Sequence, residues 1–314
     1  MINKVLNILK ESKDYISGED MAQNLSLSRT AVWKYINKLK KNGYDIVSVT
    51  GKGYKLIEND ILNENEITYP HIYFKEEMTS TNNVAKELAS KGAQEGLVVV
   101  CDKQSEGKGR LGRSWEGDNG KTLCFSVLLR PKLPPHKVSK ITIMAGIAVL
   151  EALREITGCP LFIKWPNDIV YEGKKVCGIL TEMSAEVDNT EYVVLGVGIN
   201  VNTDIFPKNI KEIATSLYIL TGEKYKRANV LDTALKYIKK YYDIFIDSEL
   251  KNLKEVYNSY CINKDKAVET MGKSTIYGIA LGINEEGSLE IKTEDGKIVT
   301  VMSGEVSLRG DGTY

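Results

Sequence analysis

Hydrophobic spacing changes character twice along the chain. Over residues 1–42 the apolar positions recur at helical intervals. Val5, Leu6, Ile8 and Leu9 form one stripe, and Val32, Ile36 and Leu39 another, as one face of a 3.6-residue helix requires. Ser17 precedes Gly18-Glu19-Asp20, which places an N-cap before first-turn acids, with Asp20 at the capping-box position. Ser28 is a second N-cap, opening a helix over 29–42 that stops at Gly43. Residues 45–49 and 54–57 then read as strands joined by Thr50-Gly51-Lys52-Gly53. Helix, turn, helix and glycine-tipped hairpin is a winged helix-turn-helix pattern over residues 1–62. Residues 63–70 are polar and acidic and read as a linker with at most a short helix.

From residue 72 strands and helices alternate. Strands are expected at 72–75, 97–101, 123–129, just before Lys164, 175–183 and 192–201. Helices are expected at 82–91, at 137–157 (the main packing helix) and along 231–260. Five strand pieces follow at 267–271, 274–283, 288–293, 298–301 and 305–308, with turns such as Met271-Gly272-Lys273. They spell a small SH3-like β-barrel. The fold class is therefore α+β, with a central mixed-sheet domain over 71–265 and a C-terminal domain over 266–314.

Charge sharpens the first segment. The whole chain has zero net charge. Between Ser28 and Lys55, however, seven cations face one acid, Asp45. Gly18, Ser28, Arg29, Thr30, Lys34, Asn37 and the wing-tip Lys52 are the expected DNA contacts, being residue types that reach phosphates and base edges. Trp33 and Tyr35 are either core or contact, with at least one expected in the core. No apolar run approaches a membrane span, and no secretory signal is evident. The five cysteines are scattered, without a C-x-x-C, which fits free thiols and a cytoplasmic protein. Two histidines, His71 and His136, offer neither a triad nor a metal set, so no metal ligand is assigned.

Residues 104–115 carry the most chemistry. Gly107, Gly109 and Gly112 alternate with Lys108, Arg110 and Arg113, and Trp115 closes the run. Glycines allow close backbone approach, and arginines match carboxylates and phosphates. The run also satisfies G-x-G-x-x-G, but loop residues follow where a dinucleotide fold needs a helix. Ser80, Thr81 and Asn82 cluster donors at a helix N-terminus. Lys164, after an apolar strand, is placed to meet an anion or a reacting carboxylate. Glycines within the strand runs 176–180 and 192–201 imply close approach of a ligand or another backbone.

Ser80-Thr81-Asn82, Gln104, the run 107–115, Lys164-Trp165-Pro166-Asn167-Asp168, Gly178-Ile179-Leu180 and Gly198-Ile199-Asn200 together resemble the biotin–protein ligases, specifically the bacterial bifunctional kind that also represses biotin biosynthesis. The resemblance covers nearly the whole chain. It implies ATP, Mg2+ and biotin as reactants, biotinyl-5′-AMP as intermediate, and a lysine of a biotin carboxyl carrier domain, as in acetyl-CoA carboxylase, as acceptor. It implies biotin contacts from Ser80, Thr81, Asn82, Gln104, Lys108, Gly109, Arg110, Lys164, Gly178 and Ile179. It implies adenylate contacts from Arg110, Arg113, Trp115, Asn167 and Asn200, with Lys164, Arg110 and Arg113 catalytic. It also implies operator DNA and a homodimer formed with the adenylate as partners. Lys108 departs from the family, which has arginine there most often. Two other readings stay open on the residues: a ligand sensor without catalysis, and a lipoate ligase.

Overall fold

The computed structural model describes residues 1–57, 60–117, 120–186, 189–271, 275–302 and 304–308. The expected turn at Gly272-Lys273 and the first residue of an expected strand, Ser274, lie outside them. The chain divides into two units, Met1–Ile61 and Leu62–Tyr314, each with its own core.

In the first unit α1 (Ile2–Glu11), α2 (Gly18–Leu25) and α3 (Arg29–Lys41) precede the hairpin β1 (Ile46–Val49) and β2 (Gly53–Leu56). Both expected caps form. Ser17 Oγ accepts from Asp20 N at 3.0 Å and Ser28 Oγ from Ala31 N at 3.1 Å. Val5, Leu6, Leu9, Val32, Ile36 and Leu39 are all buried together. Tyr35 packs against that core, while Trp33 is 54% exposed.

The second unit is built on a seven-stranded sheet. Its strands are β3 (Ile72–Met78), β4 (Val98–Gln104), β5 (Thr122–Leu129), β6 (Phe162–Lys164), β7 (Asp168–Tyr171), β8 (Lys174–Glu186) and β9 (Asn189–Asn200), in the order β3-β4-β5-β9-β8-β7-β6. The β3–β4 pair is parallel and the others antiparallel. Successive side chains of a strand face opposite sides, and β4 shows the consequence. Val98 and Val100 join the main core, whereas Val99 and Cys101 join a second cluster under α4 (Thr81–Ser90). The main core is filled from α5 (Ser139–Thr157), whose middle is buried on nearly every side, and from α7 (Arg227–Ser248).

Two expectations are corrected and one strand is added. Leu62 and Ile67 are buried in the main core, and Asp232 accepts from Thr68 N and Tyr69 N, so much of the expected linker is part of the larger unit. The helix expected along 231–260 starts earlier and is two helices, α7 and α8 (Lys254–Tyr260), with α6 (Leu217–Thr221) before them. The break follows Glu249, which has φ 50°, and Glu249 there receives Lys137 and Lys140. The short strand β7 was not expected, because four residues after Trp-Pro carry too little pattern.

At the C-terminal end β10 (Ala267–Met271), β11 (Tyr277–Ile283), β12 (Leu289–Lys292), β13 (Ile298–Val301) and β14 (Glu305–Leu308) form an antiparallel sheet in the order β13-β12-β11-β10-β14. The five expected strands are all present. Val268, Ala280, Leu289 and Ile291 belong to the same core as α5, so this sheet is fused to the central domain.

Candidate functional site

Two hollows meet on one face of the large sheet. The smaller, about 50 Å3, is lined by Ser80, Thr81, Asn82, Gln104, Lys108 and Arg110, with a floor of Gly178, Ile179 and Gly198. The larger, about 550 Å3, is lined by Arg110, Arg113, Trp115, Lys164, Asn167 and Asn200. Every binding residue expected in the central domain thus lies on one hollow or the other, although the segments are distant in sequence.

The recess is organised at the start of α4. Ser80 occupies the N-cap position but makes no capping bond and is 2% exposed. Gln104 Oε1 takes that role for the helix, accepting from Thr81 N at 2.7 Å, with Thr81 Oγ1 3.2 Å away. A helix N-terminus has free N–H groups to satisfy, and here a side chain from the end of β4 does so. The Gln104 amide nitrogen is left on the opposite side of the group. Asn82 is turned into the protein: Nδ2 donates to Glu182 Oε2 at 2.7 Å, and Oδ1 accepts from Ser126 Oγ at 2.6 Å.

The glycine-rich run forms a tight turn. Lys108 bridges Ser114, and Gly109 N donates to Arg113 O at 2.7 Å. Lys108 Nζ reaches Asn83 Oδ1 at 3.0 Å. Arg110 reaches back into the site and donates from Nη1 to Asn167 Oδ1 at 2.9 Å. Asn167 in turn donates from Nδ2 to Ile179 O at 2.9 Å, and Ile179 N returns a bond to Asn167 O. One asparagine therefore connects the glycine-rich run, the β6–β7 hairpin and β8. Lys164, 9% exposed, sits at the end of β6 opposite Asp168. Trp165, the next residue, anchors this corner by donating from Nε1 to Gly287 O at 3.0 Å. Asn200 donates from Nδ2 to Thr215 O at 3.0 Å.

The strand glycines admit the protein's own side chains, not a second backbone. A Cβ at Gly196 would lie 2.2 Å from Asn82 Oδ1, and one at Gly198 would lie 2.5 Å from the Trp115 indole. Trp115 lies over β8 and β9, and Lys175 Nζ stands 5.6 Å from its ring centroid. Cys124 lies on the recess wall, where burial pushes its thiol up to about 12, leaving it neutral and poorly nucleophilic.

Sequence reasoning gave no role to Lys175, or to Asp168 of the Lys-Trp-Pro-Asn-Asp string, which form an ion pair at 2.7 Å lining the larger cavity. It also missed Ser126 and Glu182 behind the recess. Lys175 had a faint signal as a charge at the mouth of an apolar strand. Met271 and Ser307 of the C-terminal sheet also line the cavity, a placement no local pattern carries. In the first unit Ser28, Arg29, Thr30 and Lys34 are exposed along α3, and Asn37 is half-buried. Lys52 is exposed at the wing, 5.9 Å from the Tyr15 ring centroid. Gly18 is half-buried, and a Cβ there would be 3.3 Å from the Tyr54 ring.

A cationic cavity beside a polar recess suits a phosphate-bearing ligand with a neutral polar end, and a helix-turn-helix unit precedes that domain in the chain. The Biotin/lipoate A/B protein ligase family signature matches residues 74–200, an HTH domain residues 2–55, and the Biotin protein ligase C terminal domain residues 267–309. The chain belongs to the biotin protein ligases of the bifunctional ligase/repressor kind. It is 40% identical over 308 residues to the bifunctional ligase/repressor BirA of Bacillus spizizenii, covering 94% of each chain. The BirA of Bacillus subtilis gives the same identity and coverage. The solved biotin protein ligase of Aquifex aeolicus, in complex with biotin and ATP, superposes with TM-score 0.68 at 35% identity, covering 77% of this chain and 99% of that one.

Proposed function

We propose that this protein is an ATP-dependent biotin–protein ligase that also represses transcription with biotinyl-5′-AMP as corepressor. The observation that carries the reading is the junction of the two hollows at Arg110 and Asn167. A neutral cyclic urea suits the polar recess, and an adenylate suits the cationic cavity. In the first step a biotin carboxylate oxygen attacks the α-phosphorus of ATP, and the bond to the β-phosphate oxygen breaks to release pyrophosphate. In the second a carrier lysine amine, losing a proton, attacks the acyl carbon, and AMP leaves.

Ser80, Thr81 and Gln104 meet the ureido ring, with the Lys108–Arg110 backbone, Gly178 and Ile179 around the rest of the molecule. Asn82, its amide engaged inside the protein, acts through its neighbours. Arg110 and Lys164 hold the carboxylate and then the new anhydride, offsetting the repulsion between two anions. Arg113 faces the departing phosphates. Trp115, Asn167 and Asn200 bound the nucleoside side. Among the described residues no group of three or more His, Cys, Asp and Glu side chains is placed to seat a metal ion. The two carboxylates on the cavity, Asp168 and Glu116, are engaged by Lys175 and Asn209. Mg2+ would enter with ATP and supply charge neutralisation at its phosphates. The glycine-rich run closes over the anhydride and keeps water out.

For repression, α3 enters the major groove and Lys52 touches phosphate. A symmetric operator calls for a homodimer, formed when the adenylate is bound. Free cysteines and a carrier protein as substrate fit a cytoplasmic setting. Among the described residues no helix is long and apolar enough to cross a membrane.

The test is to incubate the protein with MgATP, a carrier domain and either biotin or lipoate, and weigh the carrier. A biotin-sized increment is expected with biotin only. An increment with lipoate, or with neither acid, overturns the reading. Operator binding with and without biotinyl-5′-AMP tests repression.

A further inference from the structure

A line of polar groups reaches the recess from behind. Glu182 on β8 accepts Lys86 Nζ at 2.6 Å on one carboxylate oxygen and Asn82 Nδ2 at 2.7 Å on the other. Burial raises its pKa, but hydrogen bonds from Lys86 and Asn82 and the charge of Lys86 outweigh burial and hold it below the usual carboxylate range. An ionised carboxylate only accepts, so Asn82 must turn its NH2 toward Glu182. Its Oδ1 then faces Ser126 Oγ at 2.6 Å, in space left open by Gly196.

Ser126 is fully buried and has a single proton. Asn82 Oδ1 claims that proton. The 2.8 Å contact between Ser126 Oγ and Thr81 Oγ1 is then made with the Thr81 proton, and the 3.2 Å contact of Thr81 Oγ1 with Gln104 Oε1 is the looser of the two. Thr81 is left with lone pairs for the recess. Gln104, whose Oε1 is held by Thr81 N at 2.7 Å, keeps its NH2 as a donor.

We propose that Glu182 is a positioning residue for ligand recognition. Through Asn82 and Ser126 it fixes Thr81 as a hydrogen-bond acceptor, matched to an N–H of the cyclic urea. This rests on the ligase reading. Glu182 touches no ligand itself, and its effect is on which way a row of protons points.

Glu182→Gln keeps size and shape but adds a donor. Lys86 takes the new carbonyl, the new amide faces Asn82, and Asn82 must flip. Ser126 then turns its proton onto Thr81 Oγ1, and the Thr81 proton moves to Gln104 Oε1. One of the two lone pairs that Thr81 offered the recess is thereby taken, and the other is re-aimed away from the ligand N–H. KM for biotin in biotin-dependent pyrophosphate exchange should rise about tenfold, the scale of one mispaired buried polar group. KM for ATP, kcat at saturating biotin and Tm should stay near the parent values. Adding Asn82→Asp to Glu182→Gln restores an acceptor facing Ser126 at unchanged total charge, and should recover most of the lost biotin KM. Two results overturn the proposal. One is a Glu182→Gln biotin KM within about twofold of the parent, well short of that scale. The other is a joint rise in both KM values with a lowered Tm and no recovery in the double variant, which marks a structural role alone. A parent protein without biotin-dependent exchange strikes the ligase reading instead.

Discussion

Lys164 shows how a single residue combines burial and chemistry. It is 9% exposed and lines a cavity that also holds Arg110, Arg113 and Lys175. A carboxylate and a triphosphate brought together repel each other, and cations lining the hollow offset that repulsion. Lys164→Met should lower adenylate formation by about a hundredfold or more with little change in Tm, measured by pyrophosphate exchange beside thermal unfolding. A variant retaining most of the exchange rate would remove Lys164 from the reaction. Much of the site was legible at this scale, because the glycine–arginine run and Lys-Trp-Pro-Asn-Asp are local strings whose composition already speaks of anions. Glu182, Ser126 and Lys175 were not legible. Their meaning comes from partners such as Asn82 and Trp115 that only the sheet brings beside them.

Among the elements, α7 is held at its first turn by a buried charge. Arg227, 1% exposed, pairs with Asp102 on β4 at 2.7 Å and donates to Thr122 O on β5 at 3.3 Å. Asp102 lies two residues before Gln104, so the pair also fixes the end of β4 that serves the recess. Asp102→Asn leaves the guanidinium without its carboxylate and should lower stability by about 3 kcal/mol, read as a shift in urea midpoint. A loss under about 0.5 kcal/mol, the usual size of a surface change, would show that Arg227 is compensated by its other contacts. Strands and helices with strong periodicity were legible, and those governed by single long-range contacts were not. The break after Glu249 depends on Lys137 and Lys140, and Lys140 is itself 3% exposed with Glu249 and Glu286 as partners. Leu62 and Ile67 were lost in an acidic run because two apolar residues there set no period.

For the whole molecule, separate cores imply separable functions. Lys34→Ala should weaken operator binding and reduce the slope of log K against log salt by about 1, while biotin transfer to the carrier stays unchanged. Equal loss of both activities would contradict that separation. Alkaline pH acts on the larger unit. Burial raises the thiols of Cys101, Cys124 and Cys177, that of Cys124 to about 12. An unfolded thiol ionises near pH ~8.5, so above that pH the unfolded chain binds fewer protons than the native one and stability falls as pH rises. The urea midpoint should therefore decline steadily from about pH 9 to about pH 11, and a flat profile would contradict the assignment. The domain order was readable in outline because each domain has its own spacing. The sharing of one cavity by the central and C-terminal sheets was not, since Met271 and Ser307 are ordinary strand residues until the chain folds.

Trp115 lies on the glycines of β8 and β9 with the Lys175 ammonium over its ring. The chain has three tryptophans, and the other two are Trp33, 54% exposed, and Trp165, 2% exposed. The molecule thus carries three natural lamps in three settings: one in water on α3, one sealed in the core, and one on the floor of the site beside a charge. Ligands entering the site should change the colour and brightness of the Trp115 lamp first, and those that fill the larger cavity should also reach Trp165 on its wall. Operator DNA should dim Trp33, so that catalysis and repression could be followed by emission in a single cuvette without a label.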